Sequence, residues 1–427
     1  TRSSPLLAAG FYYKTFMWPK SFWDKVYEPI IRHAAGLGVS PTEPDPDHYS
    51  FRYEHCDVLM AGGGPAGLSA ALAAGRTGAR VILVDETAEF GGSLLSDRHV
   101  LIDGKTGPDW VADVLAELAT LPNVRVMNRC TAFNYGPHNM VALCQRLTDH
   151  LMIGAPGRPR ERLWQVRAKE VVLAQGALER PVVFEGNDRP GVMLASAART
   201  YLNRYGVLCG RKVVIMAAND SAYRVALDLV DAGAKVVAVA DVRPVVESDL
   251  ARQCQQMGIK VYPSSVIQRV HGSQRVDGVE LAPILPGGDV GRGRHVGADL
   301  VLMAGGYTPS VHLFSQSRGK LRFDDKVGAY VPGESAERER SAGACRGVYQ
   351  LEDVLPDGAR AGLEASTAST CRLGPAPEWT VARQVKSDPA RFARPLRRLG
   401  MDSPSPSFAA FHPDLPRHAH RLAVPRG

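Results

Sequence analysis

No pair of cysteines stands in C-x-x-C spacing: the seven, Cys56, Cys130, Cys144, Cys209, Cys254, Cys345 and Cys371, are far apart. A redox dithiol, a zinc site or an iron–sulfur cluster needs two sulfurs delivered from one tight turn, so this spacing excludes all three. Scattered reduced thiols in a reducing compartment remain, and no metal is expected. The chain also lacks any run of about eighteen apolar residues, which excludes a spanning helix and a membrane partner. Its start, TRSSPLLAAG, has neither an initiator Met nor a charged-then-apolar leader, which reads as a cytoplasmic protein and as a slice of something longer.

Net charge is nearly missing from the body. The net charge is +7, but residues 366–427 hold ten Lys/Arg against four Asp/Glu, so the tail carries +6 and the body about +1. A neutral body implies no basic groove and no nucleic acid. That tail also holds nine of the thirty prolines and no helical or alternating period, so residues 366–427 are expected to be disordered. Aromatics are scarce at 7%, yet Phe11, Tyr12, Tyr13, Phe16, Trp18, Phe22 and Trp23 crowd one short span. Residues 1–53 therefore read as a segment that must dock on its own body or on another chain.

What the sequence does contain is an alternation of strands and helices, which argues for parallel sheets with helices on both faces. CDVLMAGGGPAGLSAALAAGRTGARVILVDE gives a strand, a glycine turn, an Ala-rich helix ending near Gly78 and a strand Val81–Val84 that stops on Asp85. NVRVMN reads as a third strand and EVVLAQG as another, ending at Gly176. A second such unit runs from Arg211 to Asp241, with Gly233 as a helix stop. The expected division is a first dinucleotide-binding domain from 54–206 and 298–365, with a second, degenerate Rossmann-like domain, 207–297, inserted in it.

Gly62, Gly64 and Gly67 form G-x-G-x-x-G where the first strand meets the helix. The first glycine permits a tight turn, the second lets backbone approach a pyrophosphate, and the third lets helix pack on strand. Phosphates then sit at the positive helix end, beside Pro65 and Ala66. Asp85 follows Gly67 by about eighteen positions, where a carboxylate would hold a ribose diol, and the adjacent Glu86 disfavours a 2′-phosphate. Thr87 and Ala132 fall on the adenosine side; Gly91, Gly92 and Ser93 shape a loop beside the pyrophosphate; Gly176 and Gly343 close later strands. At the corresponding positions the second unit has Ala217, Asn219 and Ala222, with Asp241 ending its next strand. The turn is kept and the close approach is lost, so this copy reads as retained for its fold. No nucleophile–base pair stands out, so the catalytic residues are unknown, and His55 and His312 read as surface or loop histidines.

The runs AGFYYKTFMWP, GGGPAGLSAALAAGRTGARVILVDE, ALERPVVFEGNDRPGVMLA, NDSAYRVALDL and GGYTPSVHLFSQSRGKL, in this order, resemble the alpha subunit of heterotetrameric sarcosine oxidase. They are less similar to alpha subunits of opine and proline dehydrogenases and of hydrogen cyanide synthase. The resemblance implies an α/β, two-dinucleotide-binding-domain flavoprotein-like fold with NAD+ in the better site, an FMN at the boundary with a beta subunit, an FAD in that beta subunit, and further small subunits. Carried onto this chain, the NAD+ contacts are the Gly62–Gly67 turn, Asp85–Glu86–Thr87, Ser93 and Ala132. Gly343–Ala344, where related flavoproteins place Gly-Asp, favours NAD+ over FAD. The resemblance also implies a truncation ahead of a folate-binding domain and the loss of an earlier ferredoxin-like region. Two other readings stand beside it: a self-sufficient FAD-dependent opine or amine dehydrogenase or reductase, and a non-catalytic nucleotide-binding scaffold or gene fragment.

Overall fold

The computed structural model describes residues 18–36, 38, 41–151, 157–370 and 377–383. The chain divides into a small unit, Thr1–His48, and a large one, Tyr49–Gly427. Of the aromatic segment, Phe11, Tyr12, Tyr13 and Phe16 lie outside the described residues; within the small unit Phe22 leans on Tyr27 at 6.1 Å, ahead of a short helix Glu28–Ala34.

The first sheet of the large unit is built on β1 (Tyr49–Ala61), β2 (Val81–Val84), β3 (Val124–Met127), β4 (Cys130–Gly136), β5 (Met140–Arg146) and β6 (Glu161–Leu173), in the spatial order β3-β2-β1-β6-β5-β4. Strands β3, β2, β1 and β6 run parallel, and the late strand Glu339–Ser341 joins β6 in the same sense. Their sequences explain why: VILV and the second half of β1 are buried on both faces, the pattern of a sheet with helices above and below. Helix α1 (Pro65–Arg76) buries residues all round. On its far side lies α7 (Leu351–Thr370), where a Cβ on Gly358 or Gly362 would fall 2.2 or 2.1 Å from the carbonyl oxygens of Ala66 or Ala70. Helix α2 (Gly107–Thr120) closes the same core with Trp110, Val111, Val114 and Leu118.

The second sheet is entirely parallel and contains Val192–Leu194, Lys212–Ala217, Lys235–Asp241, Val261–Tyr262 and Leu300–Ala304, with Leu300–Ala304 second in the row and Lys212–Ala217 at its centre. Helices α3 (Ala195–Tyr205), α4 (Ser221–Asp231) and α5 (Asp249–Gln256) cover one face, and an antiparallel sheet of Ser265–His271, Gly278–Pro283 and Arg294–Gly297 covers the other. A last short helix, α6 (His312–Gln316), returns to the first sheet, burying Leu313 and Phe314 among Cys56, Leu59 and Tyr135.

Two boundaries differ from the sequence reading. Residues 192–205 and 300–304, assigned there to the first domain, build the second sheet and its helical cover. The run LVLMA pairs with Lys212–Ala217 because both are fully apolar strands that need two covered faces. Within the stretch expected to be without structure from 366, α7 continues to Thr370, and Val381–Arg383 pairs antiparallel with Val100–Ile102. Trp379 supplies the reason, meeting Trp110 edge-on at 5.7 Å and joining the first core.

Candidate functional site

A cavity of about 640 Å³ opens at the carboxyl end of the first sheet and reaches the helices of the second. This is where an open parallel sheet places its ligand. The glycine turn forms its floor, and each glycine has a different job. Gly62 has φ +108°, and a Cβ there would lie 2.3 Å from the carbonyl oxygen of Ala174; a Cβ on Gly67 would lie 1.8 Å from the carbonyl oxygen of Gly62. Around a Cβ on Gly64 nothing stands within 4 Å. The outer glycines are thus required by packing, and the middle one borders open cavity at the start of α1, the position where backbone amides and the helix dipole favour an anion.

Asp85 accepts the amide of Gly63 at 2.6 Å on one oxygen, and the amide and hydroxyl of Thr87 at 2.8 and 2.6 Å on the other. A carboxylate offers about four lone-pair sites, so acceptor capacity is left toward the cavity that Asp85 lines. These bonds lock the acid to the turn it serves. Glu86, Thr87, Cys130, Thr131 and Ala132 continue the wall on that side.

Of the residues singled out from sequence, Gly62, Gly64, Pro65, Ala66, Asp85, Glu86, Thr87, Gly92, Ser93, Ala132 and Gly176 all line this cavity. Gly67 lies behind the turn, and Gly343 lies behind Ala66, whose Cβ would be 2.8 Å from one added to Gly343. The Gly343 amide is taken by the carboxylate of Asp357 at 2.8 Å, and Ala344 faces the cavity. His55 is exposed on β1, away from the cavity. His312, discounted from sequence, is at the cavity rim with Nε2 2.9 Å from Gln175 Nε2.

Sequence reasoning missed the far wall, where Asp97, Arg199, Asp220, Arg224, Tyr307 and Tyr349 line the cavity. They come from five separate stretches that only the fold brings together, and no local motif marks them. Behind Tyr307 lies the short pairing of Ala177–Glu179 with Tyr307–Pro309. Burial pushes the Glu179 carboxyl up to about 7, against the Ser196 amide that donates to it at 2.7 Å.

Burial disfavours the thiolate form of the two cysteines nearest the cavity. Burial pushes Cys130, at the cavity wall, up to about 12, and Cys345 up to about 11. Cys345 donates to the carbonyls of Leu173 and Ala342 at 3.1 and 3.2 Å. All six described cysteines are free, and among the described residues no cluster of metal-ligating side chains occurs.

At the corresponding turn of the second domain the polar side chains are paired within the protein. Asn219, fully buried, accepts the amide and hydroxyl of Ser221 at 3.0 and 2.6 Å and donates to the carbonyl of Ala304 at 3.1 Å. Asp241 receives Tyr223 Oη at 2.6 Å and the guanidinium of Arg243 at 2.9 and 2.7 Å, while Arg243 also reaches Asp220 at 2.8 Å.

The family model described as Pyridine nucleotide-disulphide oxidoreductase matches residues 56–337, from the first strand through the second domain and back. The chain belongs to the pyridine nucleotide-disulphide oxidoreductase family. Within this family it is similar to the alpha subunit of sarcosine oxidase from Rhizobium meliloti (strain 1021), 42% identical over 92% of this chain and 38% of that one. It is similar also to the alpha subunit of sarcosine oxidase from Corynebacterium sp. (strain P-1), 43% identical over 78% of this chain and 35% of that one. The chain thus spans well under half the length of these relatives. An opine oxidase subunit of Rhizobium meliloti is 28% identical over 84% of this chain and 71% of its own. Among solved structures, L-proline dehydrogenase from P. horikoshii (TM-score 0.55, 23% identity, 77% of this chain and 57% of that one) and T. acidophilum thioredoxin reductase (TM-score 0.55, 16% identity, 74% and 99%) share the fold. Among the described cysteines none is joined in a disulphide.

Proposed function

We propose that this chain is an alpha-type subunit of a multisubunit oxidoreductase acting on sarcosine or a related N-methyl amino acid, that its first domain holds NAD+, and that its surface helps to form an FMN site against a beta subunit that carries FAD. The observation that carries the nucleotide reading is the open space before Gly64, bordered by the start of α1 and by Asp85, which is fixed to the same turn. The similarity to the alpha subunits of two sarcosine oxidases supports the substrate class and the need for other subunits.

The residues fit a dinucleotide. The amides after Gly64 would receive the pyrophosphate, Asp85 the adenosine ribose, and Glu86 would repel a 2′-phosphate, which favours NAD+ over its phosphorylated form. Ala344 offers no hydrogen-bond acceptor to a ribityl chain, which favours NAD+ over FAD. When bound, a nicotinamide supplies hydride-transfer chemistry or serves as a fixed structural element. The chain's own contribution is to orient and enclose: the wall holds no ionised thiol and no nucleophile–base pair, which suits a subunit whose partner oxidises the amine.

Mass spectrometry of the small molecules released on denaturing the purified chain tests this directly. NAD+ in stoichiometric amount is expected from the chain alone, and flavin only when a beta subunit is co-purified. One FAD per lone chain would overturn the assignment in favour of a self-sufficient flavoenzyme.

A further inference from the structure

The loop from Glu89 to His99 belongs by sequence to the first domain, where it buries Phe90 and Leu94, yet several of its polar groups are held by the second. Gly91 and Gly92 lie against the glycine turn: the Gly91 amide donates to the carbonyl of Gly63 at 2.8 Å, and a Cβ on Gly92 would be 3.1 Å from Cα of Gly64. The other side of the loop meets α3, whose sequence ASAARTYLNRY puts Arg199 and Asn203, and Thr200 and Arg204, four apart on neighbouring rows. Arg199 reaches Asp97 at 3.1 Å, Asn203 donates to the carbonyl of Ser96 at 2.9 Å, Ser96 donates to Thr200 Oγ1 at 3.3 Å, and Arg204 pairs with Glu89.

These arms converge on one carboxylate. Asp228 of α4, with a side chain 1% exposed, accepts Arg199 Nε at 2.7 Å and Asn203 Nδ2 at 2.8 Å, and lies 2.6 Å from His99 Nε2. Burial by itself would raise the Asp228 carboxyl, but the bonds from His99 and Arg199 outweigh it and hold it at about 2. A buried charge is tolerated only where partners replace water on each oxygen, and here every partner belongs to the loop or to the helix gripping it.

We propose that the second domain, whose own strand-end acid Asp241 is taken by Arg243, serves as a clamp for the first: Asp228, Arg199 and Asn203 are positioning residues that press the Glu89–His99 loop onto the glycine turn and so retain the pyrophosphate of a bound dinucleotide. The proposal rests on the first domain holding a dinucleotide. The clamp bears on the pyrophosphate side of the cavity through Gly91 and Gly92; on the adenosine side the Thr87 hydroxyl donates to the carbonyl of Glu89 at 2.7 Å, while Cys130 and Ala132 stand on another strand.

That asymmetry provides the test. Full-length wild type and Asp228→Asn are titrated with ADP-ribose, which carries the pyrophosphate, and with AMP, which does not, by calorimetry at constant salt. At least a tenfold loss of ADP-ribose affinity with less than a twofold change for AMP is expected. An equal loss for both ligands would mean a general loss of structure and would overturn the clamp, as would no loss for either. Arg204→Gln, on α3 and paired with the exposed Glu89 of the loop, covers the case in which the buried variant does not fold: a loss of several-fold for ADP-ribose alone is expected, and none would count against the proposal. Failure of wild type to bind either ligand would remove the dinucleotide reading, and the clamp with it.

Discussion

Arg243 Nη2 sits 2.7 Å from Asp241 Oδ2 in the second domain, at the end of the strand where, in the first domain, Asp85 borders open cavity. The same architectural position is spent on an internal ion pair in one half and left for a ligand in the other. One nucleotide per chain is therefore expected, and equilibrium dialysis that found two would contradict it. Arg243→Ala leaves Asp241 buried without this cation. Breaking a buried pair from one side costs on the order of 3–5 kcal/mol, to be read as a fall in the denaturant midpoint.

Two glycines of one motif should respond in opposite ways. Gly64→Val projects into space with nothing within 4 Å, so it should abolish nucleotide retention while leaving the unfolding midpoint close to wild type. Gly67→Ala would set a methyl 1.8 Å from the carbonyl oxygen of Gly62, so it should lower the midpoint first. Nucleotide release and thermal melts on both variants separate the roles, and similar behaviour in the two would show the cavity misassigned.

Glu179 predicts a pH dependence of stability. Its carboxyl, raised by burial to about 7 from an ordinary value near 4.5, is protonated in the fold over a range where the unfolded chain has already ionised. Stability is therefore lost as pH rises from about 4.5 to about 7 and is constant above that. Glu179→Gln removes the penalty: it should stabilise by about 3 kcal/mol at pH 8 and by almost nothing at pH 4. Chemical denaturation at the two pH values measures the difference, and equal effects would exclude ionisation as the cause.

Asp228 predicts the reverse at the acid end. Held at about 2 against an ordinary 3.8, it contributes about 2 kcal/mol that is present above pH 4 and lost as pH falls toward 2. Asp228→Asn should flatten that limb of the stability profile.

The first domain was legible because its determinants are local. The strand, the turn of Gly62 and Gly64, α1 and the Asp85 that ends β2 fall within one stretch. The far wall was not legible, since Asp97, Arg199, Arg224 and Tyr307 meet only after two sheets have formed. The misplaced boundaries have the same origin. Leu300–Ala304 is apolar throughout and fits either sheet by composition; only its pairing with Lys212–Ala217 and Val192–Leu194 decides. His312 was set aside because a lone histidine carries no pattern, although its helix seats it beside Gln175.

The close seating of Gly358 and Gly362 on the backbone of α1 has a consequence for how the protein comes into being. One side of the helix that starts at the phosphate turn is thus covered by a segment far along the chain, so burying it closes a long loop whose entropy is offset only by this late contact.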